Sequence, residues 1–145
     1  MLRGQADGSY KLSHRTQAWS FNQRDEIEFG IKNRVILFSL HCAYDCLLES
    51  WSSQYKFKLI NDQLILIGED HGRSLQHGDQ GNDENGSSVN YLTQKVIYWE
   101  KPVEGAYSEK KFTFKLNAPL RFSEFNLETM ENAPLKLLGT PLPEK

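Results

Sequence analysis

Along much of this chain apolar and polar side chains alternate residue by residue. In "YKFKLI", Tyr55, Phe57 and Leu59 fall on one side and Lys56 and Lys58 on the other, the pattern of a strand with one wet face. Across Asn61-Asp62 the chain resumes as "QLILIG", and two residues that tolerate positive φ between apolar runs predict a hairpin. "KKFTFKL" repeats the alternation with Phe112, Phe114 and Leu116 on one face, and Pro119 limits its extension. "RVILFSL" (Arg34 to Leu40) and "VNYLTQKVIYW" (Val89 to Trp99) are rich in β-branched and aromatic residues and read as strands buried on at least one face.

Before these, "GSYKLSHRTQAW" and "EIEFGIK" read as a shorter strand and the entry to the sheet, with a turn at Asp7-Gly8. Only "FSEFNLETM" invites a short helix or 3₁₀ turn, capped by Ser123. About six short strands with so little helix predict a mainly β, single antiparallel sheet-dominated domain, sandwich-like or a partial barrel or propeller-like sheet. The domain is expected over residues 1–133, followed by an extended tail over 134–145 that contains Pro134, Pro141 and Pro143. The longest interruption, Glu69 to Ser88, shows no apolar periodicity and is expected to be a long polar loop.

Composition narrows the partners. With 145 residues, 17 Lys plus Arg and 19 Asp plus Glu, the chain makes one small domain without the charge excess that draws proteins to nucleic acid or anionic membranes. No apolar run of roughly 18 residues occurs, so no membrane insertion is expected, and the opening "MLRGQADGSYKLSH" lacks the apolar core of a signal peptide. Cys42 and Cys46 are spaced closely enough for a disulfide that would pin a turn, and two free thiols fit the same spacing.

Candidate chemistry is sparse. "NDENG" suggests calcium, but with Asp83, Asn85 and Gly86 aligned to a helix-loop-helix calcium loop, Gly81 and Leu92 stand where the first and twelfth ligands belong. A looser calcium loop would use Asp79, Asp83 and Asn85. His71 and His77 with Asp70 and Asp79, or His41 with Cys42 and Cys46, lack the recurrent spacings of zinc sites, so no metal or other cofactor is expected beyond that calcium alternative. His41 adjoins Cys42, and neighbours on a strand point to opposite faces, which argues against a Cys–His pair. No nucleophile elbow, phosphate loop or dinucleotide fingerprint is present. The aromatic residues remain. Most are core, but Tyr98 and Trp99 point to opposite faces of one strand, so one of them is a candidate for a partner surface.

Read together, "GIKNRVILFSL", "ESWSSQYKFKLINDQLILIGED" and "SSVNYLTQKV" resemble a pattern of small secreted bacterial β proteins of unknown function. The residues that carry it are Ser50, Trp51, Tyr55, Phe57, Leu66, Ile67, Gly68, Ser88, Asn90, Tyr91, Leu92 and Thr93, within roughly residues 27–96. The resemblance implies a periplasmic or other extracytoplasmic location and a longer, exported amino end that this chain lacks. It favours a Cys42–Cys46 disulfide. It also implies framework roles for Trp51, Gly68, Asn90 and Tyr91, with Asn90 securing the polar loop from Glu69 to Ser88 through side-chain to backbone hydrogen bonds. The function expected is non-enzymatic binding of a protein partner, in one version as an immunity or inhibitor protein. The alternatives are a calcium-dependent β module built on residues 69–88 and an envelope hydrolase. A homodimer through an exposed sheet edge is a further expectation.

Overall fold

A computed structural model describes residues 2–4, 6–7, 10–12, 25–42 and 48–125. Strands β1 (Leu2–Gly4) and β2 (Tyr10–Leu12) pair antiparallel, with a turn at Ala6-Asp7 between them. The remaining strands are β3 (Asp25–Lys32), β4 (Val35–Cys42), β5 (Glu49–Ile60), β6 (Gln63–Gln76), β7 (Asn82–Asn90), β8 (Lys95–Lys101) and β9 (Ser108–Thr113). They form one seven-stranded antiparallel meander in chain order, open between its edges β3 and β9. The mainly β, antiparallel expectation is therefore met, among the described residues, by an open seven-stranded sheet and the small β1–β2 pair.

The turns follow from local chemistry. Asn61 and Asp62 take φ 47° and 60°, both left-handed, as a two-residue hairpin turn requires. Asn33 and Arg34 do the same between β3 and β4, at φ 53° and 62°. Arginine gives no turn signal, so the sequence did not reveal that hairpin.

Two expectations are corrected. Glu69 to Ser88 is not a loop: β6 runs on to Gln76 and β7 starts at Asn82, joined by a short connection with a 3₁₀ turn at Gly78–Gln80. Both faces of this hairpin are polar at its far end, so the apolar rhythm vanishes while the ladder continues. Val89 to Trp99 is not one strand either. A turn over residues 91–94 divides it, with Gln94 at φ 54°. In that turn Asn90 Oδ1 accepts the Thr93 N–H at 2.9 Å, so its side chain closes the turn that follows it rather than the polar stretch before it. Near the carboxyl end a 3₁₀ turn occupies Phe122–Glu124, while residues 126–145, including the proline-containing tail, lie outside the described residues.

Side chains directly opposite one another on adjacent strands share a face, so the register sorts the sheet into rows. One apolar-face row reads Phe29, Phe38, Tyr55, Glu69, Val89, Val96 and Phe112. Over this face the chain after β9 folds back. Phe114 is buried, Leu120 O accepts the Leu66 N–H at 2.8 Å, and Phe122 and Phe125 each meet the Phe57 ring at 5.1 Å, edge to face. This segment supplies the apolar layer that a lone sheet lacks, and Phe38, Tyr55, Phe57 and Leu66 become the buried centre of the core.

Candidate functional site

Among the described residues the opposite face is open. Its central row reads Glu26, His41, Ser52, Gly72, Gly86, Trp99 and Glu109. Three consecutive small residues between an imidazole and an indole make a depression. The result is a trough of about 400 Å³, lined also by Ser39, Gln54, Asp70 and Ser88 from the adjoining row. Trp99 forms one wall by lying across Gly86, where a Cβ would come within 2.7 Å of its ring. Tyr107 stacks on the indole from outside, with centroids 6.5 Å apart.

The lining is internally hydrogen-bonded. Ser88 donates to Asp70 Oδ1 at 2.6 Å, Lys56 pairs with Asp70 Oδ2, and Gln54 donates to Ser39 Oγ at 3.1 Å. His41 Nε2 donates to Glu26 Oε2 at 2.9 Å. Glu26 and Asp70 at the trough thus each have a basic neighbour, and the face presents hydroxyls, an amide and an aromatic ring.

A second cluster sits on the apolar face. Glu69 is fully buried, and its Oε1 accepts the Tyr91 hydroxyl at 2.8 Å. His71 Nε2 lies 3.6 Å from the same oxygen, and His71 Nδ1 lies 2.9 Å from Ser53 Oγ. Glu69 Oε2 and His71 Nε2 are buried and have no hydrogen-bond partner among the described residues. Burial above all, then the Glu69 charge and hydrogen bond, pushes the Tyr91 phenol well above its ordinary value, so it remains a donor. The residue types resemble the relay of a serine hydrolase. Yet Ser53 lies mid-strand and pairs with Leu40 on one side and His71 on the other, so the ladder consumes the backbone N–H groups an oxyanion would need. The cluster reads as a polar core link between β5, β6 and the turn after β7.

The other candidates are scattered. Asp79 sits in the 3₁₀ turn, and Asn85 lies opposite Arg73 on the apolar-face side. Asp83 Oδ1 accepts the Val103 N–H at 2.7 Å and Oδ2 accepts from His77 Nε2 at 2.7 Å. Those two hydrogen bonds, Val103 first, hold its carboxyl below the usual value. Among the described residues no group of three or more His, Cys, Asp or Glu is placed to hold a metal. His71 and His77 therefore serve different clusters, and Asp70 faces the trough, away from both.

Tyr98 and Trp99 do face opposite ways, with Tyr98 opposite Ser87 and Trp99 opposite Gly86. Trp51 is half-buried and packs against the core. Gly68 stands at a close approach, since a Cβ there would come within 2.9 Å of Val89 O. Cys42 ends β4, whereas Cys46 lies outside the described residues, and with it the expected bridge. Sequence reasoning missed Ser52, Gly72, Gly86, Asp70 and His41 as one surface. Only the register unites them; their one local signal was a glycine recurring at the same parity as the strand. No helix among the described residues is long and apolar enough to cross a membrane. Compared with known proteins, the chain matches no family model, no curated protein and no solved structure.

Proposed function

We propose that this is a non-enzymatic, extracytoplasmic protein that binds another protein through the open polar face of its sheet, an immunity or inhibitor role being one form of this. The observation that carries the reading is the trough itself. It lies between His41 and Trp99, is floored by Ser52 and Gly72, and among the described residues is left uncovered, while the segment from Phe114 to Phe125 covers the other face. A partner side chain can enter it, meet ready hydrogen-bonding groups and pack on the indole, as an aromatic anchor in a partly desolvated pocket does. The extracytoplasmic setting rests on the resemblance alone, and it gives the Cys42–Cys46 bridge its reason.

The test is affinity capture from an envelope extract with the wild-type chain and a Ser52→Arg variant. Ser52 is exposed and central, so the larger side chain fills the trough without entering the core. A defined protein held by wild type and lost by the variant supports the reading. A partner held equally by both overturns it.

A further inference from the structure

The two edges of the sheet are unequal. At β9, Lys110 and Lys111 are exposed on successive positions, the usual guard against strand addition. At β3, no described strand pairs with the outer side, and Phe29 and Ile31 are 70% and 79% exposed although Phe29 already packs on Phe38 at 4.9 Å.

We propose that β3 pairs antiparallel with β3 of a second copy, about a two-fold axis through Phe29. Three neighbouring registers keep the apolar faces of both copies on the same side. Centring on Glu28 sets that carboxylate against its own copy. Centring on Gly30 pairs only residues 28–32 of the strand. Centring on Phe29 pairs residues 26–32: Phe29 meets itself, Ile27 meets Ile31, Glu28 meets Gly30, and Glu26 meets Lys32, each twice by symmetry. Only this register combines the longest overlap with opposite charges and like apolar groups. The same operation on β9 sets lysine against lysine at the centre, so β3 is the edge that accepts a copy. The sheet becomes continuous across the dimer, and the exposed Phe29 and Ile31 join a shared apolar row.

Of the residues in this interface only Glu26 also borders the trough, through His41, and the solution mass of the chain alone reads the dimer without reference to a captured partner. The test is solution mass by sedimentation equilibrium over a range of concentrations. Wild type is expected at twice 16.8 kDa. Glu26→Lys and Lys32→Glu, each creating two like-charge contacts, are each expected to weaken the dimer about tenfold or more. Mixing the two variants restores both attractive contacts, and a one-to-one heterodimer is expected. Recovery on mixing shows that each variant remains folded. Glu28→Lys, which faces Gly30 of the second copy, leaves the dimer intact. The inference is overturned by a wild-type monomer at every concentration, by an open-ended assembly, or by single variants that dimerise like wild type.

Discussion

Tyr91 donates its hydroxyl to a carboxylate that no solvent reaches: Oε1 of Glu69, 2.8 Å away. Glu69 stands in the row of Phe38, Tyr55, Val89 and Val96, where an apolar residue would be expected. A buried carboxylate depends on its donors, so the Tyr91→Phe variant is expected to lose roughly 2–3 kcal/mol, more than an exposed tyrosine would cost. Urea denaturation measures it.

The same bond sets an alkaline limit. The folded Tyr91 phenol lies above the ordinary 10.0, so its contribution is whole below pH 10.0 and declines as pH rises beyond it, because the unfolded chain ionises first. Wild-type stability should slope downward above that pH, and the Tyr91→Phe variant should lose this part of the slope. Identical slopes would contradict the assignment.

At the trough wall, Gly86 has no room for a side chain, with Trp99 against one side and His71 O against the other. Gly86→Ala is expected to cost about 1–3 kcal/mol through overpacking and to displace the indole. Thermal denaturation reads the first effect. A changed Trp99 emission, identified against a Trp99→Phe control, reads the second.

Asp83 ties the β6–β7 hairpin end to Val103. Its carboxyl is held below 3.8, so the contribution is present above that pH and is lost as pH falls through the lower folded value. Asp83→Asn should therefore flatten the acid limb of the stability curve. An NMR titration of the wild-type carboxyl checks the direction: a midpoint at or above 3.8 would refute it.

Asn90 closes the turn over residues 91–94 through the Thr93 N–H. Removing the acceptor in Asn90→Ala should cost about 0.5–1.5 kcal/mol and speed hydrogen exchange at the Thr93 amide.

What the sequence made legible is what carries an apolar rhythm. Tyr55 and Phe57 alternate with lysines, and Asn61-Asp62 spells its own turn, so β5, β6 and their hairpin could be read directly. The continuation of β6 through Asp70, Gly72 and Ser74 could not, because both faces there are polar and backbone ladder bonds hold the strand without an apolar stripe. The candidate site was hidden for a related reason. Ser52, Gly72, Gly86 and Trp99 come from four strands and become neighbours only when the register is fixed. Tyr98 and Trp99 together offered one surface aromatic, but nothing local revealed which of them it was or that Trp99 lies over a glycine from the preceding strand.

The central claim is that the open polar face is the working surface, and oxidative footprinting with the captured partner tests it most directly. Trp99 and His41 are expected to lose reactivity in the complex, while Trp51 and Phe112, on the opposite face, keep theirs. Protection of Trp51 or Phe112 with Trp99 and His41 unchanged would contradict the account.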